Sequence, residues 1–188
     1  MALDEPTAPK TKESGGAKLA GLIQMMKRDR AERHFQAGLT SANRKEWEEA
    51  VEELVRAIEL FQELEDANRQ ASVLSSLSLC HYANGDLDLA QETSERTIEL
   101  MSSVEDAEGE ATAVLGLAHI FLTKGDLEEA KRTFFRAFSM FRVQDNWDGV
   151  MRSHLGLERV ALEQGSMEEA VKERELAEEA RRKLANGF

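Results

Sequence analysis

The sequence holds one cysteine, Cys80, and two prolines, Pro6 and Pro9. A lone thiol excludes an internal disulfide and fits a reducing compartment. With so little proline, and with glycine gathered at a few recurring positions, the composition suits a helical protein. Long apolar runs are missing too: no stretch approaches the roughly 20 apolar residues of a membrane span. Residues 1–16 are polar and residues 17–26 give only a short, interrupted apolar run, so no signal peptide is expected. These absences predict a soluble, cytoplasmic chain, and 188 residues fit a single domain.

Positive charge is scarce: the net charge is −12. It is also unevenly spread, with eight Lys/Arg against five Asp/Glu in residues 1–44 and sixteen against thirty-one in the rest. An acidic array repels phosphates instead of releasing their counterions, which argues against nucleic acid as a partner. Membrane contact, if present, is peripheral. Motifs for chemistry are equally thin. His34, His81, His119 and His154 fall one to each expected first helix, with no His pair at i and i+4 and no Cys-x-x-Cys, so no metal site is expected. Cys80 and His81 are adjacent, and adjacent residues on a helix point about 100° apart. The glutamates are spaced as exposed helix faces, and no glycine-rich phosphate loop follows a strand. The expectation is a chain that is not an enzyme and that carries no cofactor and no metal.

What the sequence does contain is a repeat. Four times, 40 residues apart, it reads Lys45-Glu46-Trp47-Glu48-Glu49-Ala50, Gly85-Asp86-Leu87-Asp88-Leu89-Ala90, Gly125-Asp126-Leu127-Glu128-Glu129-Ala130 and Gly165-Ser166-Met167-Glu168-Glu169-Ala170. A constant spacing without insertions marks a stacked array, in which each unit buries its apolar face against its neighbours. The units span about 27–66, 67–106, 107–146 and 147–186. In each, a first helix (A) ends at the Gly, and Asp86, Asp126 and Ser166 stand as N-caps of the second helix (B), with Glu129 and Glu169 completing capping boxes. Asp66, Asp106, Asn146 and Asn186 recur at the joins between units and are placed to cap the following A helix. The A helices are expected at about 67–84, 107–124 and 147–164, the B helices at about 86–104, 126–143 and 166–185, and the first pair at about 30–43 and 47–65.

The last B helix differs from the others. Its predecessors carry an apolar row at Leu54, Ile58 and Phe61, at Ile98 and Met101, and at Phe134, Phe138 and Phe141, where the fourth has Arg174, Glu178 and Arg181. A charged row cannot receive a further A helix, so it predicts a solvent-facing cap with Ala170 and Ala177 still packed inward, and a complete array. Trp47 takes the place of Leu87, Leu127 and Met167 and reads as core. Trp147 has no aromatic equivalent and reads as helix-start packing or a surface anchor.

At the other end, residues 1–16 read as a flexible tail. Residues 17–28 differ: Leu19, Leu22, Ile23 and Met26 fall at i, i+3, i+4 and i+7 on one helix face, followed by Lys27, Arg28, Arg30 and Arg33. Asp29 and Glu32 are spaced to start a new helix at about residue 29, yet neither Gly nor Pro separates the segments, and one continuous helix is equally compatible. Three roles stay open for this extra N-terminal helix. It caps the array, it lies in a trough as a latch or dimer element, or it meets an anionic lipid or acidic partner.

These residues resemble the tetratricopeptide repeat family in its longer-unit form, similar to the units of kinesin light chain and of cell-polarity adaptors. The third unit carries the signature best, with Leu117, Ala118, Phe121, Ala130, Phe134 and Ala137; the others offer Gly38, Ala50, Leu54 and Ala57, then Leu77, Ser78, Ala90 and Ile98, then Leu157, Ala170 and Ala177. The 40-residue unit exceeds the common 34, and the usual Pro after helix B is absent. The resemblance covers about residues 30–186, leaving residues 187–188 outside. It implies an all-α, right-handed α-solenoid of four helix-turn-helix repeats with an N-terminal extra helix, and a concave groove that holds a peptide or protein segment. The groove positions it implies are Phe35, Leu39, Asn43, Ser72, Ser75, Leu79, Tyr82, Thr112, Leu115, His119, Leu122, Arg152, Leu155, Arg159 and Leu162. Together they make a largely apolar trough with a basic end at Arg152 and Arg159, suited to an amphipathic helix or an extended apolar segment. The same Leu spacing also serves packing against each unit's own B helix. The expected function is a non-catalytic adaptor for a protein or peptide partner. The alternative is a self-assembling scaffold, dimerising or joining end to end through the N-terminal helix.

Overall fold

The computed structural model describes residues 12–186, with side chains from Gly16 onward. The described residues form eight helices and no strand: α1 (Lys12–Asn43), α2 (Trp47–Glu63), α3 (Ala67–Asn84), α4 (Leu87–Ser103), α5 (Ala107–Lys124), α6 (Leu127–Val143), α7 (Trp147–Glu163) and α8 (Met167–Ala185). Each helix packs against the one before and after it, and contacts between A helices are few, so the fold is an all-α solenoid whose burial comes from stacking.

One backbone device closes each helix from α1 to α7. Gly85, Gly125 and Gly165 take left-handed φ of 89°, 83° and 74°, and Lys45 takes the same region at 63° in the unit that lacks the glycine. The joins between units use it as well, at Glu65, Glu105 and Asp145, where no glycine signalled it. In each case the next amide reaches back five residues, as in Asp86 N–H to the His81 carbonyl (2.9 Å) and Asp66 N–H to the Phe61 carbonyl (3.0 Å). The expected caps divide. Asp66, Asp106 and Asn146 accept from Arg69, Gly109 and Gly149 amides at 3.1, 2.9 and 2.9 Å. Asp86, Asp126 and Ser166 stand at N-cap positions without a side-chain cap bond, and the capping boxes with Glu129 and Glu169 do not form. Their carboxylates are engaged elsewhere: Asp86 by Asn84 (2.6 Å), Glu169 by Lys131 (2.7 Å) and Glu129 by Arg132.

The repeat register explains the core. One A-helix position faces one B-helix position in every unit: Gly38 with Leu54, Ser78 with Ser94, Ala118 with Phe134, and Glu158 with Arg174. A Cβ on Gly38 would stand 2.8 Å from Leu54 Cγ, so the large side chain needs the bare backbone opposite it. Phe134 is fully buried and also reaches Gly156 of the next unit, where a Cβ would run into its ring. We expect Gly156→Ala to lower stability by about 1–3 kcal/mol through overpacking, against about 1 kcal/mol of gain in helix propensity, read as a lower urea midpoint; an unchanged midpoint would show that the ring can move aside. In the second unit both partners are small, and there the core divides. One cluster runs from Ala31 to Cys80 and another from Ile98 to Ala180. In the fourth unit the pair is ionic, Arg174 to Glu158 at 2.5 Å, and Arg174, Glu178 and Arg181 are exposed beside the buried Ala170, Ala177 and Ala180.

Terminal units share a further pair. His34 Nδ1 lies 2.6 Å from Glu53, and His154 Nδ1 lies 2.7 Å from Glu173, while the central units have Leu74 with Thr93 and Val114 with Thr133 at the same places. The hydrogen bond from His34 is the main cause that holds the Glu53 carboxyl below its ordinary value. That contribution to stability is present above about pH 4.5 and is lost as pH falls further.

The N-terminal helix is continuous with the first A helix. α1 begins at Lys12, inside the stretch read as a tail, and passes through Asp29 and Glu32 without a break; residues 1–11 and 187–188 lie outside the described residues. Glu32 pairs with Arg69 (2.8 Å) instead of capping a new start. Lys27 to Glu63 (2.7 Å) and Arg28 to Asp66 (2.5 Å) mark where α1 leaves the array, and every residue from Gly16 to Met26 is exposed. The segment does not fold back over the array: α1 runs on without a break and residues 16–26 stay exposed.

Candidate functional site

A cleft of about 430 Å³ opens between α3 and α5, over α4. Ser75, Ser76, Leu79 and Tyr82 of α3 form one wall, Thr112, Gly116 and His119 of α5 the other, Ser94 and Thr97 of α4 the floor, and Arg152 of α7 the rim. Its origin lies in the core register. Ala118, Phe134 and Gly156 correspond, one unit earlier, to Ser78, Ser94 and Gly116. Phe134 occupies the space over Gly156, whereas nothing lies within 4 Å of a Cβ built on Gly116. The cleft is the seat of an absent aromatic ring.

Most of the hydroxyls around it are committed within the protein. Ser78 Oγ donates to the Ala90 carbonyl (3.0 Å) and lies 2.6 Å from Ser94 Oγ, Thr97 donates to the Thr93 carbonyl (2.7 Å), and Ser76 donates to Ser72 (3.2 Å). The walls therefore present mainly carbon to a ligand. Tyr82 OH and Thr123 Oγ1, 2.9 Å apart, tie α3 to α5 at one end. One turn before Thr123 on α5, His119 sets its ring edge against Phe134 with centroids 4.9 Å apart. Burial, and then Arg152 and Arg159, push His119 below its ordinary pKa. Both arginines are exposed, held loosely by Asp148 at 3.8 Å and Glu163 at 3.4 Å on their own helix. The α7 side of the cleft is positive.

Of the expected groove positions, Ser75, Leu79, Tyr82, Thr112, His119 and Arg152 converge here. Ser72 lines a shallower depression beside it with Met101 and Gly109. Leu155, Arg159 and Leu162 are exposed on α7 beyond the rim, Asn43 is exposed at the end of α1, and Leu39 is half-buried against the first core cluster. Phe35, Leu115 and Leu122 belong to the core, at 7%, 1% and 4% exposure. The reason is uneven spacing: α1 touches α3 and α5 touches α7, so the row that faces solvent on α3 is closed on α1 and α5. Ser76, Gly116 and the floor residues Ser94 and Thr97 were missed, although Ser94 at the register of Leu54 and Phe134 was a signal in the sequence.

The other candidates for chemistry lie apart. Cys80 is buried and its thiol is pushed up by that burial; His81 is buried with an unpartnered Nδ1. Among the described residues no three His, Cys, Asp or Glu side chains gather to hold a metal, and no helix is long and apolar enough to cross a membrane. Trp147 is half-buried between Arg142 (4.6 Å) and Lys183 (4.3 Å) in a second cleft between α6 and α8.

The sequence model of the tetratricopeptide repeat matches residues 34–103, the first two units. Those two units are tetratricopeptide repeats in sequence. The last two units keep the same 40-residue register and the same helix pairs. No curated protein matches the chain in sequence. Among solved structures, this chain is similar to the Rap conjugation gene regulator of the plasmid pLS20 in complex with the Phr* peptide, with a TM-score of 0.69, 21% identity, and coverage of 84% of this chain and 43% of that one. The apo form of RapI aligns with a TM-score of 0.73 at 16% identity, over 82% of this chain and 58% of RapI. Kinesin light chain TPR-like repeats from Podosopora anserina align with a TM-score of 0.68 at 17% identity, over 82% and 76%. The likeness is one of fold, and the chain spans about half the length of the two Rap regulators.

Proposed function

We propose that this tetratricopeptide array is a protein-interaction module, without a catalytic step, that takes a peptide segment of a partner across α3, α5 and α7. The observation that carries the reading is the empty seat over Gly116, bounded by Leu79 and Tyr82 and flanked by Arg152 and Arg159. An apolar or aromatic side chain fits the seat, and acidic residues beside it meet the arginines. That one of the structural neighbours is a regulator in complex with a peptide supports the use of this architecture for peptides.

The reading is tested by fluorescence anisotropy with short peptides that carry one aromatic residue followed by acidic residues, beside versions with the aromatic changed to Ala. We expect the aromatic peptides to bind, and Leu79→Glu or Arg152→Glu each to weaken them about tenfold or more. Both residues are exposed, so the fold is retained. Equal binding of the Ala versions, or indifference to both substitutions, would sink the proposal.

A further inference from the structure

We propose that the exposed face of α1 is a second interaction surface, independent of the cleft, and that its occupant is an acidic amphipathic helix of a partner protein. In the later units the corresponding face of helix A is covered by the helix B that precedes it; Leu77, Leu117 and Leu157 on that face are 7%, 7% and 3% exposed. No helix precedes α1 among the described residues, and its equivalent positions are Arg30, Arg33, Ala37 and Thr40. At 100° per residue, Leu19, Leu22, Ile23 and Met26 fall within about 60° of the centre of the same face. Their exposures are 59%, 47%, 51% and 61%. The face thus runs unbroken from Leu19 to Thr40, roughly 32 Å at about 1.5 Å per residue, which is the shape that one helix covers.

Charge selects the occupant. Arg30 and Arg33 stand midway along the face and make no ion pair among the described residues; Arg33 Nε donates only to the Asp29 carbonyl, at 3.2 Å. A second copy laid antiparallel on the same face would bring four arginines together at the dyad. An anionic bilayer would meet the acidic array, whose Glu63 and Asp66 already engage Lys27 and Arg28 beside the face. A helix with an apolar row and flanking carboxylates satisfies both halves of the face. The chain itself shows the type: α2 covers α3 with Leu54, Ile58 and Phe61, and Glu48 and Glu53 stand at the two margins of that row, about 110° from its centre.

The test uses the intact chain and a labelled peptide of residues 46–65 as the probe, with molar mass by light scattering and sedimentation with phosphatidylserine vesicles run alongside. We expect the peptide to bind, the pair Leu22→Glu with Met26→Glu to weaken it about tenfold or more, and Arg30→Glu with Arg33→Glu to weaken it similarly while removing most of the salt dependence. A peptide with Glu48 and Glu53 changed to Lys should restore binding to the Arg→Glu variant, and Leu79→Glu in the cleft should change nothing. Absence of peptide binding, or binding indifferent to both pairs, overturns the proposal. So does a doubled mass that Leu22→Glu with Met26→Glu abolishes, which would make the occupant a second copy, or vesicle binding without peptide binding, which would make it a membrane.

Discussion

Changing Ser78 to Ala and Ser94 to Phe together will close the cleft between α3 and α5, raise the stability of the array and abolish uptake of an aromatic peptide side chain. The pair reproduces in the second unit what the third already has, Ala118 opposite Phe134 with a glycine to receive the ring. Gly116 stands ready at the receiving position, so the new ring needs no displaced backbone. Burial of a phenylalanine side chain contributes about 1.5–3 kcal/mol. The bond between Ser78 and Ser94 is lost with both partners removed at once, a change that is nearly neutral when no polar group is stranded. Chemical denaturation should show a higher midpoint, and anisotropy should show peptide affinity reduced at least tenfold. A more stable variant that still binds with unchanged affinity would place the peptide elsewhere. A destabilised one would show that the cleft is held open by more than small side chains.

Removing His154 alone should be among the most damaging changes outside the hydrophobic core. Its partner Glu173 is 6% exposed, and His154→Val leaves a buried carboxylate with no hydrogen-bond donor. Breaking a buried pair by deleting one member costs about 3–5 kcal/mol. The double change His154→Val with Glu173→Thr should recover most of that loss, because Val114 and Thr133 already occupy these places in the third unit. Since α8 is the last helix and touches chiefly α7, the single variant should lose hydrogen-exchange protection first in α7 and α8 while the first two units stay protected. Comparable stability of the single and double variants would show that solvent reaches Glu173 and that the pair adds little.

The same comparison of positions 40 residues apart shows why the two ends and the middle differ. The His–Glu pairs fall in the first and fourth units, which among the described residues have a neighbour on one side only. Polar ties between helices A and B there stand in for part of the stacking the central units receive from both sides.

The sequence by itself determined the architecture. A 40-residue period with glycine, acidic cap and alanine at constant offsets allows only helix pairs of one length, and α2 to α8 begin and end within a residue or two of where those signals stand, whereas α1 starts well before its own. Arg174, Glu178 and Arg181 likewise announced an exposed face on α8, because three charges in a helical row cannot be buried without partners. Tertiary structure alone decided which groove positions are open. Helical periodicity assigns a residue to a face and says nothing of how near the neighbouring A helix stands, so Leu79, Leu115 and Leu155 read alike in sequence although Leu115 is buried and the other two are exposed. That distance depends on pairs brought together from different units, Ser94 with Gly116 in one place and Phe134 with Gly156 in the next. The course of α1 was also left to the structure: nothing in residues 17–33 breaks a helix, and the ion pairs that anchor it join residues 36 and 38 positions apart.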